Sequence, residues 1–301
     1  MSNLRSPAVV LLALAVVSVG LVLGGCGGGD DDVSGTGTAR VVLTDAPMSN
    51  VDEVHVKITR IEVVGQAGAQ VLLNDRDIPD DVELIALGAN PLLLGQRELP
   101  AVQYTQIRMI LDNTPGANYI IDSEGERHDL TIPSGAQSGV KLVTGAFEVV
   151  DGQIITILLD FNAAASVHQA GQSGQWIMRP TVFANVVRGA DLDLGTIRGT
   201  VLDEAGAPIV APDGRVLGVF IETPFGTVGV AEVDPVDGSF ELPAVIAGPY
   251  NLRVRYADPL TWQPIGDPLD LVVNSTIQQL LAITLADEQT LDLAIVVDIT
   301  P

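Results

Sequence analysis

Short apolar runs, many of them β-branched, alternate with polar residues along most of the chain, and Gly, Pro, Asp and Asn separate the runs. In residues 51–64, Val54, Val56 and Ile58 alternate with polar side chains, a period of two that predicts a half-buried strand. The same alternation recurs in segments 104–111, 250–256 and 291–299. Residues 81–94 differ, because their apolar spacing fits short turns or a helical piece as well as strands.

This pattern predicts an all-β protein made of two antiparallel β-sandwich domains of the Ig-like or transthyretin-like kind. Strand-rich sequence fills residues 38–188, and a polar stretch at 189–195 is the predicted linker. We expect the second sandwich at residues 196–286, followed by a C-terminal strand at 287–301.

One internal similarity links the two halves. The segment Glu98–Tyr104 and the segment Glu241–Tyr250 both begin Glu-Leu-Pro-Ala-Val and lead to a tyrosine in a long strand. We interpret this similarity as a corner that both sandwiches form in a similar way. Its origin, by chance or by common descent, stays open.

The N-terminal region contains an uncharged stretch from residue 6 to 29 after a single arginine. Its apolar part, residues 7–23, is shorter than a comfortable transmembrane helix, and it ends in Leu23-Gly24-Gly25-Cys26. This motif resembles the lipobox of bacterial lipoprotein signal peptides, in which the cysteine thiol receives a diacylglycerol and becomes the new N-terminus. Residues 1–25 are therefore the predicted signal peptide, and Cys26 is the predicted lipidation site.

The Gly, Asp, Ser and Thr residues of segment 26–37 predict a flexible tether. Gly27 follows the cysteine where an aspartate would favour the inner membrane, so we expect a cell-envelope protein at the outer membrane or cell surface. The alternative is an uncleaved anchor helix with an incidental cysteine.

Composition and charge exclude other classes. The chain has 38 acidic and 15 basic side chains, a formal net charge of -23, which argues against nucleic-acid binding. It is 47% hydrophobic, which is too apolar for a disordered acidic chain. The one cysteine cannot form an intrachain disulfide or a Cys-based zinc site.

Residues 38–188 resemble a prokaryotic lipoprotein domain of unknown function, number 4382. The resemblance rests on the following segments: Leu43–Pro47, Leu99–Ala101, Tyr104–Arg108, Pro133–Gly135, Gly139–Leu142, Leu159–Phe161 and Arg179-Pro180. The family's activity is undefined, so the resemblance implies a location more than a chemistry.

Residues 194–286 resemble the carboxypeptidase regulatory-like or transthyretin-like β-sandwich. The matching segments are Gly199–Val201 with Asp203, Gly206–Pro208, Asp237–Phe240 and Gly248–Tyr250. Insertions at 210–216 and 244–247 depart from the family pattern. The resemblance implies a non-catalytic interaction or spacer module.

The candidate ligand-binding residues are Asp45, Arg108, Lys141, Asp160 and Arg179, which interrupt or end apolar strands. If these side chains converge, they predict a pocket for an anionic or sugar ligand, in which arginine makes the main bidentate contact. The alternative is a set of structural ion pairs at strand ends. Asp45, Asp160 and Arg108 are also the residues on which an envelope hydrolase would depend.

Other chemistry has weaker support. The carboxylates available for Ca²⁺ are Asp75, Asp77, Asp80, Asp81, Asp191, Asp193, Asp234 and Asp237, and none forms an EF-hand loop. Trp176 and Trp262 lie in loop-like segments and could contact a carbohydrate, although core packing is the other interpretation. The histidines lack metal-ligand spacing, and His55 is predicted to be solvated.

The sequence therefore predicts a lipid-anchored envelope protein, without an enzymatic activity or a required cofactor, that binds or scaffolds. Its partners would be the membrane, through the lipid on Cys26, and an envelope protein or glycan. The alternatives are the Asp/Arg hydrolase and a Ca²⁺-dependent adhesion or carbohydrate-binding module.

Overall fold

The computed structural model describes residues 35–45, 51–66, 68–88, 90–133, 140–142, 146–170, 173–224, 226–259, 262–273 and 276–298. Cys26, the predicted signal peptide and most of the predicted tether lie outside these ranges. Within them, no helix is long and apolar enough to cross a membrane.

The first sandwich contains β1 (Thr36–Thr44), β2 (Val51–Val56), β3 (Ile58–Gly65), β4 (Gly68–Asn74), β5 (Val82–Glu83), β6 (Leu92–Pro100), β7 (Gln103–Leu111), β8 (Tyr119–Asp122), β9 (Arg127–Asp129), β10 (Val140–Leu142), β11 (Phe147–Glu148), β12 (Ile154–Phe161), β13 (Val167–Ala170), β14 (Gln175–Met178) and β15 (Val182–Arg188). A 3₁₀ turn at Ile85–Leu87 and a one-turn helix, α1 (Ala163–Ser166), lie between strands.

These strands form two packed sheets and a smaller third one. Sheet A has the order β15-β12-β1-β6, sheet B has the order β10-β7-β3-β4 with β11 also on β7, and sheet C has the order β5-β2-β8-β9. Strands β13 and β14 form a separate hairpin. Alternate side chains of all three sheets, such as Val41, Ile107 and Val54, are fully buried in one continuous core. The predicted period of two thus points one side of each strand into this core.

The second sandwich contains β16 (Leu194–Asp203), β17 (Val216–Thr223), β18 (Gly226–Glu232), β19 (Ser239–Ile246), β20 (Gly248–Ala257), β21 (Asp270–Val273), β22 (Thr276–Gln278), β23 (Leu281–Leu285) and β24 (Thr290–Asp298). Sheet D has the order β18-β17-β20-β23, and sheet E has the order β19-β16-β24-β21-β22. The predicted C-terminal strand is β24, which lies inside sheet E between β16 and β21.

The all-β, two-sandwich prediction is confirmed, but the strands are not all antiparallel as predicted. In the first sandwich β1 runs parallel to β12, and in the second β16 runs parallel to β24. In each case the first strand is antiparallel to its other neighbour, β6 or β19. A parallel partner requires a long connection, which local sequence patterns do not reveal.

The segment 51–64 alternates as predicted, with Val54, Val56 and Ile58 buried, but it forms two strands and not one. The break is at Lys57, whose N–H donates to the Asn118 Oδ1 at 3.0 Å and not to a strand partner. Residues before the break belong to sheet C and residues after it belong to sheet B.

The two sandwiches contact each other along a seam, with sheet A and α1 on one side and sheet D on the other. The seam between sheets A and D has an apolar centre in which Ala165 and Phe183 pack with Phe220, Val230 and Trp262. Two asparagines of the first sandwich donate across the seam to β18, from Asn162 to the Val230 carbonyl at 2.6 Å and from Asn185 to the Val228 carbonyl at 3.5 Å. Since β18 is an edge strand, these bonds also cover an edge that would otherwise be open.

Candidate binding site

Asp45, the first predicted site residue, is a buried structural group at the end of β1. Its side chain is 1% exposed, and its Oδ1 accepts a hydrogen bond from the Ala163 N–H at 2.7 Å. Asn162 caps the same short helix by accepting from the Ala165 N–H at 2.7 Å. Asp45 therefore holds the start of α1 in place.

Asp160 lies on β12 beside Thr44 and points away from the core of the first sandwich, because its neighbours Leu159 and Phe161 are buried in that core. Its carboxyl faces the seam, in a gap of about 20 Å³ that also borders Asn185 and Tyr250. A gap of that size holds about one water molecule. Burial there raises the pKa of Asp160 to about 7.

Arg108 and Lys141 are cross-strand neighbours on sheet B. The Arg108 Nε donates to the Gln106 Oε1 at 3.1 Å, and the flanking residues Ile107 and Met109 are buried in the core, so Arg108 lies on the outer face of sheet B. Asp160 lies on the outer face of sheet A. The sandwich therefore separates these groups.

Arg179 is exposed beyond β14, and its backbone N–H donates to the Ser166 carbonyl at 2.8 Å. The structure thus brings together Arg108 with Lys141, and places Asp45 near Asp160, but it does not assemble the five residues in one pocket. The Asp/Arg hydrolase site, one of the alternatives, is not formed by Asp45, Asp160 and Arg108, because the two sheets of one sandwich lie between the arginine and Asp160.

A different cluster forms on sheet C around Tyr119. The His55 ring stacks on the Tyr119 ring with centroids 4.3 Å apart, and the Arg127 guanidinium lies 3.7 Å from the same ring centroid. The two His55 ring nitrogens lie 2.8 Å from Glu53 and 2.9 Å from Asp81. His55, which was predicted to be solvated, is thus held by a ring stack and two carboxylates.

Next to this cluster is an open cleft of about 530 Å³, which we call the Trp176 cleft. It is lined by Arg127, His128, Asp129, Thr131, Gly174, Gln175 and Trp176. One wall is β9 with Thr131, and the other is β14. A backbone hydrogen bond from the Thr131 N–H to the Trp176 carbonyl at 3.0 Å joins the walls.

The polar groups of the cleft are fixed by their neighbours. His128 lies 2.7 Å from Asp122, and this hydrogen bond, together with one from the Glu126 N–H, lowers the pKa of Asp122. Gln175 donates to the Thr131 Oγ1 at 2.8 Å. The cleft is therefore an ordered set of hydrogen-bonding groups.

The Trp176 side chain is half-buried against the core of the first sandwich, and its centroid lies 5.9 Å from that of His128. Its Nε1 is buried and has no hydrogen-bond partner among the described residues. The part of the indole that lines the cleft is therefore carbon. Trp176 thus packs against the core, as one of its two interpretations predicts, and its contact with a ligand stays a prediction.

Sequence reasoning singled out Trp176 but missed Arg127, His128, Asp129 and Gln175. They come from two segments about 50 residues apart, and only the pairing of Thr131 with β14 brings them together. The signal present in the sequence was the alternation in β9, where Arg127 and Asp129 are exposed on either side of His128.

Several of the candidate carboxylates for Ca²⁺ bond to protein groups. Asp77 binds Arg97 at 3.0 Å, and Asp234 and Asp237 accept hydrogen bonds from the N–H groups of Val236 and Ser239. Among the described residues, no group of three or more His, Cys, Asp or Glu side chains is arranged to hold a metal ion.

Residues 36–180 match the family described as Domain of unknown function (DUF4382). A DUF4382 domain is therefore present in this chain. It contains the whole Trp176 cleft and ends just before β15, the strand that completes sheet A. No curated protein matches the chain in sequence.

Several solved structures match this chain over most of its length, at TM-scores below 0.5. They include the Bacillus anthracis TIE protein, at 9% identity and a TM-score of 0.22, over 86% of this chain and 41% of that protein. The minor pilin GBS52 of Streptococcus agalactiae has 10% identity and a TM-score of 0.24, covering 87% of this chain and 97% of the pilin. The shaft pilin spaA of Lactobacillus rhamnosus GG has 11% identity and a TM-score of 0.23, covering 88% and 98%.

Proposed function

We propose that this protein is a lipid-anchored component of the cell envelope, at the outer membrane or cell surface, with a non-catalytic binding role. The anchor is a lipid on Cys26, and the ligand is an envelope protein or glycan. The observation that carries the binding role is the Trp176 cleft, in which an indole surface lies beside hydrogen-bonding side chains on a rigid sheet.

The geometry of the cleft favours binding over catalysis. Its hydroxyl group, on Thr131, is bonded to Gln175, and its imidazole, on His128, is bonded to Asp122. A nucleophilic mechanism needs a hydroxyl group that donates to a base, and among the described residues no hydrogen bond joins the Thr131 hydroxyl to the His128 imidazole.

The second sandwich is a spacer or interaction module of the carboxypeptidase regulatory-like kind in this proposal. The geometry of two of its turns supports this part of the proposal. Asp203 accepts hydrogen bonds from the N–H groups of Ala205 and Ala207, and Gly206 has a φ of 80°. Gly238 has a φ of 77°, and a side chain there would lie 2.6 Å from the Val201 carbonyl oxygen.

The anchor is tested by replacing Cys26 with serine and following the protein in membrane fractions and by intact mass. The wild-type protein should sediment with membranes, lack residues 1–25 and carry the added mass of a diacylglycerol. The Cys26→Ser variant should lose both properties. Equal membrane retention and equal mass in the two proteins would overturn the lipid anchor.

A further inference from the structure

We propose that the Trp176 cleft binds a neutral oligosaccharide. This assignment rests on the proposed binding role and names the chemical class of ligand for the same cleft. It is carried by three observations: the carbon surface that Trp176 presents, the planar polar side chains around it, and the acidic character of the surroundings.

The first observation concerns apolar contact. A pyranose ring has a face of C–H groups that packs on an aromatic ring, and its edge carries hydroxyl groups. Because the Trp176 Nε1 is buried, a ligand in the cleft would contact only carbon atoms of the indole. Because β14 pairs with β13 and is joined to Thr131, the ring sits on a fixed support.

The second observation concerns hydrogen bonding. Neighbouring sugar hydroxyls are both donors and acceptors, and planar groups with two adjacent polar atoms match them in pairs. The cleft presents three such groups: the amide of Gln175, the carboxylate of Asp129 and the guanidinium of Arg127.

The guanidinium is also pre-organised. Arg127 stacks 3.7 Å from the Tyr119 ring centroid and donates to the Gly116 carbonyl at 3.0 Å. Holding the side chain in place before binding lowers the entropy that a ligand contact would otherwise cost. The stack continues to His55, so three rings or planar groups from three strands support this wall.

The third observation concerns charge. Arg127 lies 3.8 Å from Asp129, and Asp122 bonds His128, so each basic group of the cleft faces a carboxylate. The whole chain carries a formal charge of -23. An anionic polysaccharide would be repelled by this field, whereas a neutral one would not.

The test is a calorimetric titration of the purified full chain, in a detergent that contains no sugar, with cellohexaose, maltohexaose and chitohexaose. Gln175→Ala is the main variant, because Gln175 is exposed and its loss leaves the core intact. Trp176→Ala removes the indole, and Trp176→Phe keeps an aromatic ring as a check that the domain still folds. Arg198→Ala, on an exposed ion pair of the second sandwich, is the matched control.

We expect at least one of these hexasaccharides to bind, Gln175→Ala and Trp176→Ala to weaken binding by about tenfold or more, and Arg198→Ala to leave it unchanged. Trp176→Phe should retain part of the affinity. A hexamer of glucuronic acid should bind at least about tenfold more weakly than the neutral ligand.

Absence of binding by all three neutral hexasaccharides would overturn the proposal, as would binding that Gln175→Ala and Trp176→Ala leave unchanged. Tighter binding of the glucuronic acid hexamer would overturn the neutral class. The Cys26→Ser fractionation is independent of all these titrations, so a wrong ligand class is distinguishable from a wrong anchor.

Discussion

The two sandwiches share a corner. In the first, the Tyr104 hydroxyl donates to the Pro100 carbonyl at 3.2 Å where the chain crosses from sheet A to sheet B. In the second, the Tyr250 hydroxyl donates to the Ile246 carbonyl at 2.5 Å where the chain crosses from sheet E to sheet D. The tyrosine corner is a recurring device of β-sandwiches. The acceptor is the proline of the Glu-Leu-Pro-Ala-Val segment in the first sandwich but lies one residue beyond that segment in the second, so the corner is shared while the two segments occupy different places in it.

The sandwiches differ in the face that each turns to the other. The first contributes three polar side chains, Asp160, Asn162 and Asn185, beside the apolar Ala165 and Phe183. The second contributes Phe220 and Trp262 with the carbonyls of β18. The asparagines have partners across the seam, whereas no hydrogen bond or ion pair of the Asp160 carboxyl is found among the described residues. The two sandwiches therefore share a corner, while the side chains on the outer faces of their sheets differ.

The largest expected effect comes from the charge at the seam. Below about pH 4 the Asp160 carboxyl is protonated in both the folded and the unfolded chain. Because its folded pKa is raised to about 7, the unfolded chain loses this proton first, so stability falls as the pH rises from about 4 to about 7. At about 1.4 kcal/mol per pKa unit, the loss reaches about 4 kcal/mol above pH 7.

Urea unfolding of wild type and Asp160→Asn across this pH range measures the effect. The amide should remove this part of the pH dependence, so the variant gains stability relative to wild type as the pH rises. Burial also raises the pKa of Glu232, so only the difference between the two proteins isolates Asp160. An equal pH slope in both proteins would show that the seam does not bury this charge.

The second effect tests the two parallel strand pairs. Gly199 on β16 lies so close to β24 that a Cβ would overlap the Leu293 carbonyl, whereas Ala39 on β1 is fully buried beside β12 with its methyl group accommodated. Gly199→Ala should cost about 3 kcal/mol of unfolding free energy. Ala39→Gly should cost about 1 kcal/mol. Both losses of unfolding free energy are measured by chemical denaturation. Similar losses for the two variants would contradict the closer approach of β16 and β24 at Gly199.

The corner itself gives a smaller effect. Tyr104→Phe and Tyr250→Phe each remove one hydroxyl and leave the ring in place, so each should cost about 1 kcal/mol. The two losses should be similar, because both hydrogen bonds are part-buried. A corner that acts alike in both sandwiches predicts additive losses in the double variant, measured by urea midpoints.

The smallest expected effect concerns calcium. A cation that binds the folded chain would raise the thermal unfolding midpoint in CaCl₂. The midpoint should be the same in excess CaCl₂ as in EDTA. The reason is that Asp77 in the first sandwich and Asp234 and Asp237 in the second already have bonding partners. A clear rise with Ca²⁺ would favour the adhesion module over the proposal made here.

Much of the fold could be predicted because strand alternation is local. The faces of Val54, Val56 and Ile58 are those that the period of two assigns. The change of sheet at Lys57 could not be predicted, since it depends on Asn118, a residue distant in sequence. The Asp151-Gly152 pair is a turn, as its composition indicates, but it joins β11 in sheet B to β12 in sheet A and not two paired strands.

The candidate site was the least predictable part. Polar residues that interrupt strands, such as Arg108 and Asp160, stand out in sequence, yet the alternation of faces sends them to opposite sides of the sandwich. The residues of the Trp176 cleft look ordinary one by one. Their chemistry depends on distances across a strand pairing.

The sequence by itself determined the all-β class, the acidic surface and the two-sandwich organisation, because alternation and composition act through neighbouring residues. Only the tertiary structure decided which strands run parallel, which faces meet at the seam and which side chains share the cleft. Those choices depend on contacts between segments that are far apart in the chain. The raised pKa of Asp160 and the placement of Trp176 beside Arg127 and Gln175 both follow from such contacts.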